Sequence, residues 1–419
     1  MKILWLTNIP LPEASTLMNS KSLPFGGWLV NTSKYLANSE NIELSITFPC
    51  NSFREFNVLN GEKIIYYPFP QKKKESEVKR FLEEIVDRSR PEIVHIFGTE
   101  YIHTLEMVNI CNERKIKVLI SIQGLVSIYA QHYMANLPRK VQNKFTFRDL
   151  IKRDNLVQQQ LKFQHRGIFE ILALKKVKHV LGRTTWDKAC TLQINPHITY
   201  HYCNETLRES FYNAKWDIEH IEEHSIFISQ GTYPIKGLHH MLEAMSIIIK
   251  KFPKAKLYVG GIDNSNDQGL KAKLKKNSYG KYINHLIKKF NLQDKVFFTG
   301  SLYEKEMLNR YLRANVFVCP SSIENSPNSL GEAMILGVPC VASFVGGVSD
   351  LLIDKQEGFL YQSDAPYMLA HYVCEIFTDN NLALKFSISA REHALRTHDR
   401  ESNLEKITQI YNNIVELSS

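Results

Sequence analysis

CPSSIENSPNSLGEAMILGVPCVASFVGG, residues 319–347, combines a strand end, a loop, a helix start and a second strand in under thirty residues. Just ahead of it Val316, Phe317 and Val318 form a short apolar run that ends at Pro320, the pattern of a buried strand feeding a loop. In open α/β sheets ligands bind at such strand ends. Ser326 before Pro327 predicts an N-cap followed by the first helical residue, where the missing donor of proline costs nothing. The first helical amides, around Asn328, Ser329 and Leu330, then lack intrahelical acceptors and sit at the positive end of the helix dipole, which suits a phosphate. Leu330, Ala333, Met334 and Gly337 follow helical spacing and predict the core face. At roughly 100° per residue Glu332 falls about 200° from Leu330 and looks away from that core, into a cleft. A carboxylate one turn beyond a phosphate cradle is placed to accept hydrogen bonds from a ribose diol. Glu324, ahead of the helix, can reach a group on the far side of the phosphate. Two solvated glutamates are the plain alternative; the cap, the proline and the strand GVPCVAS that follows favour the site.

At this point the residues match a known pattern. Glu324 and Glu332 within ENSPNSLGEAM, together with GVPCVAS and the Gly346-Gly347 pair, resemble the donor-binding signature of family 4 retaining glycosyltransferases. Upstream, SQGTYPIKGLHHMLEA resembles the loop that carries the diphosphate-binding lysine of that family, here Lys236, while LYVGG and VFFTGSL resemble its successive strand ends. The likeness is strong over roughly residues 225 to 360 and weaker before them. It implies an α/β chain of GT-B architecture, two Rossmann-like domains with parallel sheets facing a central cleft. It also implies a nucleotide-sugar donor, UDP-linked, whose sugar moves with retention to a glycan or polyprenyl-linked acceptor in surface polysaccharide assembly. The departing diphosphate oxygen would take the acceptor's proton. Under this resemblance Glu324 and Lys236 are catalytic, and Glu332, Gly27, Gly231, Asn328, Ser329, Leu330 and Gln123 bind the donor. Two positions depart from the family pattern: Gly231 stands where relatives carry an arginine, and Gln123 where they carry a histidine. Glutamine forms hydrogen bonds but does not titrate.

Length and patterning agree with this expectation. A chain of 419 residues exceeds one ordinary core and predicts two domains. These run from 1 to 215 and from 216 to 395, with a final helix at 396–419 packing back on the first. The acidic segment WDIEHIEEH, Trp216 to His224, reads as the linker. Strand-like runs alternate with helical ones: KILWLT, IELSITF, KIIYYPF, EIVHIF, KVLISIQG and HVLG, then SIFISQG, KLYVGG, KVFFTG, VFVCP, VPCVAS and GFLY. Such alternation predicts parallel sheets covered by helices. The opening MKILWLT is stopped by Asn8, Pro10 and Pro12 before a signal peptide or span is complete, so it reads as the first strand. Seven cysteines, an odd number without close pairs or metal spacing, point to a reducing cytoplasm.

Charge is unevenly divided. Residues 1–215 hold 30 Lys and Arg against 20 Asp and Glu, and residues 216–419 hold 22 against 23. Arg139 to Lys178 alone has 11 basic and 3 acidic residues interleaved with Phe145, Phe147, Phe163, Ile168, Phe169 and Leu172. Such a segment suits an anionic membrane surface, and a peripheral place on the inner face of the membrane; a solvated helical face is the bland alternative. No nucleic-acid-binding signature accompanies it, so no nucleic-acid partner is expected. The run Lys72 to Lys74 reads as a solvated loop. Gly26-Gly27, ahead of WLVNTSKYLA, allows backbone to approach a phosphate. His95 and His103 read as structural. With no paired aspartates and no HExxH, no metal or other cofactor is expected. A nucleotide-sugar-binding partner subunit without turnover, or a GT-B epimerase or phosphorylase, stays open beside the transferase.

Overall fold

The computed structural model describes residues 1–21, 26–71, 74–261 and 276–416, so of the Lys72–Lys74 run only Lys74 is within the described residues. The chain forms two compact units. The first gathers Met1–Ser127, His165–Arg208 and His398–Ser419; the second gathers Ile128–Gln164 and Glu209–Thr397.

In the first unit the strands are β1 (Lys2–Leu6), β2 (Glu43–Cys50), β3 (Leu59–Asn60), β4 (Ile65–Pro70), β5 (Ile93–Phe97), β6 (Lys117–Ser121), β7 (His179–Gly182) and β8 (Thr199–Tyr202). They lie in the order β3-β4-β2-β1-β5-β6-β7-β8, parallel except for the β3–β4 pair. Continuous apolar runs make this possible: Ile3, Leu4, Trp5 and Leu6 are all buried, as expected of strands covered on both faces. The helix Arg400–Glu416 belongs to this unit and adds Ile407, Ile410, Tyr411 and Ile414 to the cluster around Ile3, Trp5, Leu29 and Leu36. Trp5 Nε1 donates to Tyr411 Oη at 3.0 Å, and that hydroxyl lies 2.6 Å from His95 Nδ1. His95 Nε2 meets Ser121 Oγ at 2.7 Å, so this histidine is a satisfied core group.

In the second unit β9 (Ser225–Ile228), β10 (Lys256–Gly260), β11 (Val296–Gly300), β12 (Val316–Cys319), β13 (Cys340–Ser343) and β14 (Gly358–Tyr361) form a parallel sheet. Its order is β11-β10-β9-β12-β13-β14. The order reverses direction between β9 and β12, which puts a switch point between those two strands.

Two boundaries differ from the reading of the sequence. Trp216, placed in the linker, is 2% exposed, and its indole donates to Ala314 O at 2.7 Å; the crossing between units falls earlier, between Arg208 and Glu209. An acidic run resembles a linker by composition, but one buried aromatic fixes its start. Residues 128–164, read as part of the N-terminal domain, cluster with the second unit. Specific polar contacts hold them there: His239 Nε2 lies 2.7 Å from Ala135 O, and Ser278 Oγ lies 2.5 Å from Lys144 O and 2.6 Å from Asp149 Oδ2. Among the described residues no helix is long and apolar enough to cross a membrane.

Candidate active site

Lys236 ends the short 3₁₀ turn Pro234–Lys236 that follows β9, and Glu324 lies in the loop that follows β12. The two loops flank the switch point of the sheet and are stitched together. Ser322 N donates to Ile235 O at 2.7 Å, and Gly237 turns with φ +69° so close to the other loop that a Cβ there would fall 1.7 Å from Pro320 O. Lys236 Nζ consequently meets Glu324 Oε1 at 2.5 Å, in a pair whose side chains are 20% and 9% exposed. Ser321 Oγ donates to the same carboxylate oxygen at 2.8 Å. Burial alone would pull the Lys236 ammonium down; the neighbouring Glu324 carboxylate and Tyr233 override it and hold the group above the usual lysine range.

The Gly346-Gly347 pair, after β13, closes the third side. Gly347 N donates to Glu324 O at 3.1 Å. Gly346, at φ +52°, comes so near that a Cβ would stand 1.8 Å from that carbonyl oxygen. Three strand-end loops thus converge on one glutamate, and the glycines at 237 and 346 are required by close backbone approach.

The helix after the loop runs Asn328–Leu336, one residue later than expected. Pro327, at φ −70° and ψ 110°, is its cap, and Ser326 is not: the Pro327 carbonyl already accepts from Leu330 N at 2.9 Å and Gly331 N at 3.3 Å. The Leu330 amide is therefore spent inside the helix and does not join the predicted anion cradle. Ser329 N is left without an acceptor among the described residues, and Ser329 O accepts from Tyr311 Oη at 2.9 Å. Glu332 is buried, 5% exposed, together with Leu330, Ala333 and Met334, so the helix is enclosed on more than the face its periodicity indicates.

Gly231 is closely packed. A Cβ at Gly231 would lie 2.9 Å from both Leu238 Cδ2 and Val259 Cγ1, so a side chain there would run into packed aliphatic groups. The position is a packing site in this unit. Gly27 and Gln123 belong to the first unit. Gly27 opens the helix Gly27–Asn38 behind Gly26, whose φ is +83°, and Gln123 Nε2 donates to Glu205 Oε1 at 2.8 Å. Glu205 in turn pairs with Arg183, which is 4% exposed, at 2.6 Å.

Sequence reasoning missed Ser321, Tyr129, Arg183 and Glu205. Tyr129 stands near the pair, since burial and the Glu324 carboxylate together push its hydroxyl up. No local spacing signals it, because it comes from the 128–164 segment. A cavity of about 430 Å³ in the first unit, lined by Leu11, Glu13, Lys34 and Tyr66 among others, holds none of the predicted residues.

Residues 211–393 match the family described as glycosyl transferases, group 1. The chain is 26% identical over 207 residues to the putative glycosyltransferase YtcC of Bacillus subtilis, covering 49% of this chain and 48% of that one. It is 24% identical over 186 residues to the capsular polysaccharide biosynthesis glycosyltransferase CapM of Staphylococcus aureus, covering 44% of each. The chain thus spans about half the length of the curated relatives it matches. In fold it is similar to HepE of Anabaena, solved in complex with UDP and glucose, with a TM-score of 0.66 at 14% identity over 98% of this chain and 99% of the other. The chain carries the GT-B fold, and its segment 211–393 is similar to the group 1 glycosyl transferases.

Proposed function

We propose that the protein is a retaining glycosyltransferase that moves a hexosyl group from a UDP-linked donor to a glycan or polyprenyl-linked glycan in surface polysaccharide assembly. The Lys236–Glu324 pair at the switch point of the second sheet carries this reading. CapM supports the polysaccharide acceptor and HepE supports UDP.

Without donor the Lys236 ammonium is matched by one carboxylate. A diphosphate brings more negative charge to the same cation, so donor binding would exchange Glu324 for phosphate oxygens at Lys236 and free the carboxylate to hold sugar hydroxyls. Ser329 N adds a donor at the positive end of its helix. Glu332 anchors ribose. As the bond from the anomeric carbon to the diphosphate oxygen breaks, the acceptor oxygen bonds to that carbon on the same face and its proton passes to the departing diphosphate. Stabilising the charge that grows on this leaving group is worth several kcal/mol in a site arranged for it. With Lys236 as the cation, no metal is needed.

The test begins with a thermal-shift panel of UDP, GDP and ADP and their sugars, followed by turnover with the stabilising donor in EDTA. UDP should raise the midpoint most, turnover should survive chelation, and proton NMR of the first-formed product should show the anomeric configuration of the donor. An inverted product, or activity lost to EDTA and restored by a divalent ion, would overturn the reading.

A further inference from the structure

The helix Phe147–Lys152 is inside out. Phe147, Leu150 and Ile151 occupy spacings i, i+3 and i+4, which place them on one face, and they are 58%, 67% and 66% exposed. Phe145, just ahead, is 61% exposed. The charged residue is the one turned inward. Asp149 is 1% exposed and closes a capping box with Thr146, taking Thr146 N at 3.1 Å while its own amide donates to Thr146 Oγ1 at 3.1 Å. The same carboxylate accepts from Ser278 N at 3.1 Å and lies 2.6 Å from Ser278 Oγ.

These bonds fix the rotation of the helix. Turning the apolar face inward would strip a buried carboxylate of its donors, and a carboxylate in that state is expensive. The outward Phe, Leu and Ile are therefore held there by the structure, and an apolar patch so held marks an interaction surface. Its surroundings identify the partner. Between residues 139 and 153 Asp149 is the sole acid, and it is buried; Arg139, Lys140, Lys144, Lys152 and Arg153 are exposed. Exposed cations flanking an apolar face in sequence, with no exposed acid between them, complement an anionic lipid surface, where the rings and aliphatic chains enter the headgroup boundary and the cations stay among the phosphates.

We propose that this face of the second unit docks on anionic bilayers through Phe145, Phe147, Leu150 and Ile151. The surface is narrower than the segment Arg139–Lys178 suggested by composition, because Lys175 and Lys176 belong to the first unit and Lys176 Nζ is bonded to Asn109. Docking does not depend on the transfer reaction, and its test needs no donor.

The full chain is floated with vesicles of phosphatidylcholine alone and of phosphatidylcholine containing about one-third phosphatidylglycerol. Binding should require the anionic lipid and weaken with salt. The variant Phe147→Ser/Leu150→Ser/Ile151→Ser should lose about tenfold or more of the bound fraction, since apolar area sets the depth of insertion. Lys144→Gln/Lys152→Gln/Arg153→Gln should lose binding at physiological salt. All the altered side chains are exposed, so the thermal midpoint should hold, and Phe147→Trp should report a blue shift on vesicles as a direct reading of contact. Absence of flotation, or equal flotation of the serine variant, overturns the proposal. So does a concentration-dependent dimer that the serine variant abolishes, which would make this face a contact between copies.

Discussion

Glu324 and Glu332 lie eight positions apart and stand in different surroundings. Glu324 is held in side chain and backbone by three loops, with Lys236 Nζ at 2.5 Å; Glu332 is enclosed in a helix. Glu324→Ala should leave free UDP binding intact or tighter, because the lysine loses its internal partner, while turnover falls by about 100-fold or more. Glu332→Ala should weaken UDP binding itself. Calorimetry on both variants decides this, and equal losses of UDP affinity would sink the division of roles. Gly237→Ala is the sharper structural test: with φ +69° and a Cβ 1.7 Å from Pro320 O, alanine must displace one of the two loops. A midpoint drop equivalent to about 2 kcal/mol or more and loss of turnover are expected, from backbone strain and displacement of Lys236; wild-type activity in this variant would contradict the role given to loop spacing. At this scale the sequence was legible where chemistry is local. The two glutamates and the lysine stand out as a signature, but Gly231 does not disclose that its missing side chain faces Leu238 and Val259, because that depends on a neighbouring strand.

Elements were legible through their apolar runs. KILWLT, EIVHIF, KVLISIQG, SIFISQG and VFVCP each contain a strand of the structure, since strands buried on both faces leave little choice of residue. Helix ends were less so. A proline serves equally as cap or as first helical residue, and the carbonyl of Pro327 settles it by accepting from Leu330. The helix Phe147–Lys152 was the hardest, because a 3.6-residue pattern tells which residues share a face and not which way that face turns. Asp149 makes the decision. Asp149→Ala should cost roughly 1 to 3 kcal/mol in urea unfolding, from the lost capping box and the orphaned Ser278 amide. Ser278→Ala, which keeps that amide, should cost less. The reverse order would mean that the carboxylate is not what anchors the helix.

For the whole molecule, acid sensitivity follows from buried histidines. Burial holds His95, His103 and His239 down to about 3. An unfolded histidine titrates near 6.5, so below that pH the unfolded chain takes up protons that the folded chain refuses. Stability is then full above about 6.5 and is lost on acidification toward 3, at about 1.4 kcal/mol per pH unit for each such histidine. Urea midpoints at pH 7.5 and 5 should show the loss, and His103→Gln should flatten it; an unchanged slope would mean that His103 protonates in the fold. The allegiance of 128–164 to the second unit was not legible, since it rests on His239 and Ser278, each more than 100 positions from its partner.

Trp5 and Tyr411 are 406 positions apart in sequence yet share one hydrogen bond in one core. A ribosome therefore makes the first strand long before the helix that covers it, with the whole second unit in between. Through most of synthesis the nascent first unit presents an unfinished apolar surface around Trp5. Its maturation waits on the synthesis of that distant helix, so this unit is the one that a chaperone would meet.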